Sequence, residues 1–351
     1  MTSIMGDYII QPDNTHSLSA KVQFLMQPEN YTDTTKVEAL ETHMSWVFLT
    51  DSFVYKLKKP VQYEFLDFRT PAARHLFCKE EIKINQPLAG DTYIGVVPLS
   101  LQHGALQLYG QGEVIDWLVK MKHLPEKQML HQAIYEGTVD MEWVKKAAEK
   151  LSDFYQRAPS VKISPEQYLE KMRKEIEMDS KVLLRDEFSL NQTLIRGIQS
   201  DLLRFLFGHA KHFEQRVVEG RIVEGHGDLR PEHICLAPIP VFIDRIEFNK
   251  SLRIIDIAEE LSFLAMECEM LESPETGRMF INVYKRRSQD NFPEDIVFFY
   301  KSKRAFLRAR LSIFHLLEKK YQVNGQKWEN RSNAYLEAAR IYAGKLPRHD
   351  K

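Results

Sequence analysis

The chain has 351 residues, 44% hydrophobic and 28% charged, which is a globular composition too long for one small core and suited to one two-lobed fold or two domains. Its formal net charge of −1 provides no global field for nucleic acid or an anionic membrane, so neither is expected as a partner. Three cysteines, Cys78, Cys235 and Cys268, without a C-x-x-C pair, exclude a disulfide framework and a structural zinc site; with no secretory pattern over Met1–Ala20 and no apolar run of spanning length, the expected location is cytoplasmic.

In chain order, residues 1–30 read as a polar arm with one short helix around Ala20–Met26. Strand patterns follow over Val37–Leu40, Trp46–Leu49 and Phe53–Leu57, with Thr50-Asp51-Ser52 as turn material between the last two. Ala72–Leu88 predicts a helix entered through Thr70 as N-cap and Pro71 in the first turn. Tyr93–Leu99, Gly104–Tyr109 and Val114–Met121 complete a sheet, giving an α+β lobe over residues 31–124. From Pro125 to residue 351 the pattern is mostly helical: Met129–Tyr135, Met141–Tyr155, Pro165–Met178, Gln192–Arg216, Ile257–Met270, Thr276–Tyr284, Glu294–Glu318 and Trp328–Ala343. A strand pair, Arg221–Glu224 and Val241–Asp244, interrupts these helices.

Inside that interruption lies His226-Gly227-Asp228-Leu229-Arg230-Pro231-Glu232-His233, followed by an Asp at the end of Val241-Phe242-Ile243. The first stretch has the form H-x-D-L-x-P-E-x of a phosphotransferase catalytic loop, 226–233; the second supplies a metal-binding segment, 243–249. Phosphoryl transfer needs one carboxylate to orient the attacking hydroxyl, here Asp228, and another to grip Mg²⁺ on the nucleotide phosphates, here Asp244. Alone, Asp228 would read as a turn former, and Asp244 with Arg245 as exposed turn residues; the two in series favour the catalytic reading. His233 stands where such loops carry a metal-binding Asn, and is open to ligating metal, bonding a phosphate or bracing Asp228. Lys56 on the Phe53–Leu57 strand is the candidate for neutralising phosphates, with Lys58 on the same face as its alternative. Glu81 is its expected partner and Glu80 the rival. No G-x-G-x-x-G precedes Lys56, and the loop Glu41–Ser45 offers Thr42, His43 and Ser45 as phosphate donors instead. Asp256 reads as a helix N-cap, alternatively as a support for the catalytic loop. Glu267, Glu269 and Glu272 read either as a solvated charge run or as the lining of a site for a cationic amino-sugar.

Together these residues resemble the aminoglycoside phosphotransferase-like superfamily, within it a bacterial branch of unassigned substrate. The resemblance rests on Glu41–Phe48, Tyr55–Val61, Phe65–Phe68, Phe77–Asn85, His226–Leu236, Ile243–Asn249 and Leu252–Met266, covering about residues 37 to 270. It implies a protein-kinase-like two-lobed fold, with an antiparallel sheet plus helix and a larger helical lobe. It also implies ATP and Mg²⁺ as cofactors, Lys56 on the phosphates paired with Glu81, Asp228 as base, Asp244 on Mg²⁺, an adenine hinge near Trp117–Lys122, and a small-molecule hydroxyl substrate. Members of that branch often carry a fused P-loop kinase domain. No G-x-x-x-x-G-K-[ST] occurs here, so a P-loop kinase is expected, if at all, as a separate partner. The competing expectation is a nucleotide-binding pseudokinase serving as a regulatory module, suggested by His233 and the missing glycines.

Overall fold

The computed structural model describes residues 17–63, 66–236, 239–317 and 325–347. Within them the chain forms two compact units, one from residues up to Ala133 with Glu232–Leu252, the other from Ile134–Pro231 with Arg253 onward.

The first unit is built on a six-stranded antiparallel sheet in the order β1-β2-β3-β8-β6-β7. Its strands are β1 Glu38–Glu41, β2 Ser45–Leu49, β3 Phe53–Lys58, β6 Tyr93–Gln102, β7 Ala105–Leu108 and β8 Glu113–Lys122; Gln62–Tyr63 (β4) and Leu66–Asp67 (β5) form a separate short ladder. Alternation along β3 decides what each face carries. Phe53, Tyr55 and Leu57 join a cluster with Phe48, Val97, Leu99 and Leu118 that receives Val22 and Leu25 of α1, Leu18–Leu25. Val54 faces the opposite cluster, with Cys78 of α2, Pro71–Ala89, and Val119 and Met121 of β8. Lys56 and Lys58 share Val54's parity and therefore face α2. Helix α2 starts where the sequence places it: the Thr70 hydroxyl accepts from Ala73 N–H and Pro71 sits in the first turn. Burial pushes the Cys78 thiol up to about 12, as fits an inert packing cysteine.

Asp116 on β8 ties both helices to the sheet. Its carboxylate accepts Arg74 Nε and Nη2, each at 2.8 Å, and Lys21 Nζ at 3.0 Å, with all three residues at most 2% exposed. Asp116→Ala would remove the carboxylate that two buried cations share, so we expect a loss of about 3–5 kcal/mol in stability. A urea titration should show a lower midpoint at unchanged slope. Removing Asp91, whose ion pair with Lys122 is exposed, should leave that midpoint where it is.

The segment Glu232–Leu252 adds a two-stranded ladder to this unit, β10 Ile234–Cys235 against β11 Val241–Phe242. Leu236 N–H donates to Gln128 O at 2.9 Å, and Ile243 N–H to His233 O at 3.0 Å.

The second unit is helical around one small ladder, β9 Ile222–Glu224 paired antiparallel with β12 Ile254–Asp256. Helix α3, Leu130–Tyr135, carries the chain into it. The helices that follow are α4 Met141–Arg157, α5 Pro165–Leu183, α6 Gln192–Gly208, α7 Ala210–Val218, α8 Ile257–Met270, α9 Pro274–Ser288, α10 Glu294–Phe314 and α11 Gly325–Ala343. The single helix expected over Gln192–Arg216 is broken after Gly208, a residue of low helix propensity, and the chain restarts at Ala210. Helix α8 is buried on every side from Ile257 to Cys268, as a central core helix is. Asp256 caps it by accepting Ala258 N–H, and is held by Arg216 through two bonds of 2.6 and 2.7 Å and by the Tyr300 hydroxyl at 2.8 Å. Of the sequence expectations, the start of the arm (residues 1–16), Phe65 and Glu318 lie outside the described residues.

Candidate active site

In the first unit, β3 and α2 bring opposite charges together away from water. Lys56 Nζ donates to Glu81 Oε1 at 2.9 Å and to Asp244 Oδ1 at 2.8 Å. Lys58 Nζ, fully buried, donates to Glu81 Oε2 at 2.6 Å and to Glu247 Oε1 at 2.5 Å. The sequence left Glu80 as a rival to Glu81; Glu80 instead lies near Lys83 on the outer face of α2. Lys56 and Lys58, alternatives in the sequence, both enter the network, and Glu81 bridges them. Burial by itself would strip the charge from Lys56, but Asp244, Glu81 and Glu247 outweigh it and hold the lysine well above its usual range. Burial would likewise raise Glu81, yet Lys56 and Lys58 hold it below the usual carboxylate range.

Asp244 is positioned by its backbone as much as by its charge. Its φ is +64°, the left-handed region that few non-glycine residues enter, and its N–H donates to the buried Tyr93 hydroxyl at 3.1 Å. The next residue is clamped as well: Arg245 N–H donates to Asn85 Oδ1 at 2.9 Å, and Asn85 Nδ2 to Glu81 O at 2.8 Å. The Asp244 side chain keeps 45% exposure, so its carboxylate reaches solvent while its base is fixed. His233 Nε2 stands 3.6 Å from Asp244 Oδ2. Among the described residues no three His, Cys, Asp or Glu side chains form a group that could hold a metal alone. A single carboxylate that reaches solvent, as on Asp244, fits the way Mg²⁺ is held, by one or two carboxylates together with substrate phosphates and water.

At the turn between β1 and β2 the residues expected to substitute for a glycine loop are partly engaged. The Thr42 hydroxyl accepts from Ser45 N–H at 3.0 Å and donates to Ser45 O at 2.9 Å, which closes the turn. His43 is half-buried at its tip. On β8, Trp117 stacks on His75 with ring centroids 3.7 Å apart.

The second unit carries the loop with Asp228. Gly227 has φ +90°, and a Cβ on Gly225 would fall 2.4 Å from Glu260 Oε2, so neither position accommodates a side chain without strain. The approach is close because Glu260, from the first turn of α8, receives the loop: His226 N–H donates to Oε2 at 2.8 Å and Gly227 N–H to Oε1 at 2.5 Å. The Tyr155 hydroxyl donates to the same carboxylate at 2.6 Å. Asp228 itself is 31% exposed at the side chain, with Arg230 Nε 3.1 Å from both oxygens. Glu260, Glu247 and Tyr93 were not singled out from the sequence. The pair Glu259-Glu260 opening an otherwise apolar helix was the one signal available for the first of them. Glu267 and Glu269, read as lining for a cation, are already engaged by the unit itself: Tyr335 and Arg308 meet Glu267, and Lys301 and Tyr342 meet Glu269.

No family model matches the chain. Uncharacterized proteins of Mycobacterium tuberculosis and Mycobacterium bovis are 31% identical to it over 290 residues, or 80% of this chain and 55% of theirs. The chain thus spans about half the length of those relatives. A solved choline/ethanolamine kinase family protein from Mesorhizobium loti is similar with a TM-score of 0.50 at 12% identity, covering 92% of this chain and 99% of that one. A thermostable mutant of the aminoglycoside phosphotransferase APH(4)-Ia has a TM-score of 0.50 at 11% identity, covering 90% and 98%. No described helix is long and apolar enough to cross a membrane.

Proposed function

We propose that this chain, which has the fold of the aminoglycoside phosphotransferase-like, protein-kinase-like superfamily, transfers the γ-phosphate of ATP to a hydroxyl group of a small molecule in a Mg²⁺-dependent reaction. The observation that carries the reading is Lys56, its side chain 15% exposed and held charged between Glu81 and Asp244. A structural ion pair needs one partner; a cation bonded to a buried glutamate on one side and a solvent-reaching aspartate on the other suits a group that transfers to phosphate oxygens.

In the proposed step the acceptor oxygen forms a bond to the γ-phosphorus, the bond from that phosphorus to the β–γ bridging oxygen breaks, and ADP leaves. The hydroxyl proton passes to the Asp228 carboxylate, which first orients the hydroxyl. Lys56 offsets charge on the nucleotide phosphates, and Glu81 fixes its direction. Asp244 is the residue that would hold Mg²⁺, which would supply positive charge to offset what develops on the phosphates. His233, a poor donor for a hard cation, is better suited to orienting the Asp244 carboxylate than to ligating metal. Thr42 shapes the turn whose tip, at His43, is assigned to the phosphate side. A cytoplasmic location suits a reaction that consumes ATP and three buried cysteines that form no disulfide. The proposal includes no P-loop kinase partner.

The direct contact between Lys56 and Asp244 also suits the pseudokinase reading, in which the pair stays closed. Calorimetric titration with ATP, with and without Mg²⁺, followed by an ADP-release assay over a panel of hydroxyl metabolites, separates the two. Mg²⁺-dependent binding with acceptor-stimulated ADP release supports the enzyme. Binding with no ADP release above background for any acceptor supports the pseudokinase.

A further inference from the structure

Arg304 and Arg308 stand one turn apart on α10, and so on one face of it. Arg304 is 8% exposed, and the Arg308 side chain 12%. Each meets a single carboxylate of α8 through Nε: Arg304 meets Glu259 at 2.8 Å and Arg308 meets Glu267 at 3.1 Å. Neither Nε makes a well-aligned hydrogen bond there, and among the described residues no hydrogen bond from the Arg304 guanidinium is found. A guanidinium has five N–H donors, and a buried one leaves few unused without a reason.

The local charge balance leans the same way. Glu259 is shared between Arg304 and Lys303, each at 2.8 Å, and Lys303 is shared in turn with Glu175, which also takes Lys171. That connected set holds three cations against two carboxylates. It lies close to the loop that carries Asp228. Burial works against the charge on both arginines, Glu259 and Glu267 restore it, and Asp228 contributes at each. Glu259 also directly precedes Glu260, which binds the loop backbone.

We infer that Arg304 and Arg308 form an anion-reading subsite, and that the acceptor carries a carboxylate or phosphate monoester beside its reactive hydroxyl, as a sugar acid, hydroxy acid or sugar phosphate does. A pair of oxygens from a carboxylate or a phosphate matches the guanidinium fork, and a cationic amino-sugar would meet repulsion here. The acceptor class rests on the proposed kinase activity; the anion site does not.

Two matched sets test it on the full chain at saturating MgATP: glucuronate, glucose 6-phosphate, glucose and glucosamine; and glycerate, glycerol 3-phosphate, glycerol and serinol. Binding is read by saturation-transfer NMR and turnover by ADP release. At least one acid or phosphate should bind and be preferred over its neutral and amino counterparts. R304K and R308K, which keep the charge against Glu259 and Glu267 and lose the fork, should raise its KM or Kd about tenfold, the order of a lost charge-assisted contact, with KM for ATP unchanged. The same two variants control for folding by thermal midpoint. Preference for a neutral or amino member, no acid or phosphate binding above its neutral counterpart, or an unchanged constant in both variants overturns the inference. Arg304-dependent anion binding without ADP release leaves the subsite standing and removes the kinase activity.

Discussion

Asp228→Asn is expected to lower turnover by roughly 10²–10⁴, the range contributed by a positioned general base, while MgATP affinity and thermal midpoint stay at wild-type values. The substitution keeps the size of the side chain and one oxygen toward Arg230, so the ion pair at 3.1 Å becomes a hydrogen bond from the guanidinium to an uncharged amide oxygen. With 31% of the side chain exposed, little stability rests on its charge. The loop does not depend on Asp228 for its shape, because Glu260 binds the backbone of His226 and Gly227. What the amide lacks is the capacity to take a proton. Steady-state ADP release, with calorimetric MgATP binding on the same preparation, separates loss of chemistry from loss of nucleotide. A variant with more than about a tenth of wild-type turnover would fall outside the range for a general base and remove Asp228 from that role.

Asp244→Asn is expected to weaken MgATP binding on the order of 10²-fold, matching about 2–3 kcal/mol for a lost contact to a charged group. Binding of ATP without metal should hold or tighten, because Lys56 is released from one of its two carboxylates. Asparagine is chosen because Asn tolerates the left-handed backbone at φ +64°, where alanine would add strain to the loss of charge. Lys56 retains Glu81, and the buried Lys58–Glu81–Glu247 part of the network is untouched, so the midpoint of unfolding should move little. Titration of ATP at graded Mg²⁺ is the check. The same Mg²⁺ dependence in variant and wild type would mean that another group holds the metal.

What the sequence made legible is local. Thr70-Pro71 marks the start of α2 because capping and the fixed φ of proline act within one turn. The alternation of Phe53–Lys58 reports which side chains share a face of β3, and hence that Lys56 and Lys58 are alternatives on one face, because strand geometry has a period of two; that Glu81 bridges both is seen only in the fold. His226-Gly227-Asp228 is legible as a tight turn bearing a carboxylate. What stayed hidden depends on partners remote in the chain. Lys58 meets Glu247 across 189 positions, and nothing near either residue announces the other. Glu260 was absorbed into the reading of a core helix, although its carboxylate is what receives the loop. Glu267 and Glu269 looked open to a cation because Arg308, Lys301 and their tyrosines lie dozens of positions away. The turn at Thr42 was read by donor type alone; its hydroxyl closes its own turn, and only three-dimensional geometry reveals that the proton is already in use.

The most direct test is transfer of label. The purified chain, incubated with γ-³²P-labelled ATP, Mg²⁺ and a small-molecule cell extract, should place label on an organic acceptor, with the product lost on chelation of the metal and in Asp228→Asn. Protein that binds MgATP and leaves all label in ATP and inorganic phosphate, or that labels the same product equally in Asp228→Asn, contradicts a phosphotransferase built on these two aspartates.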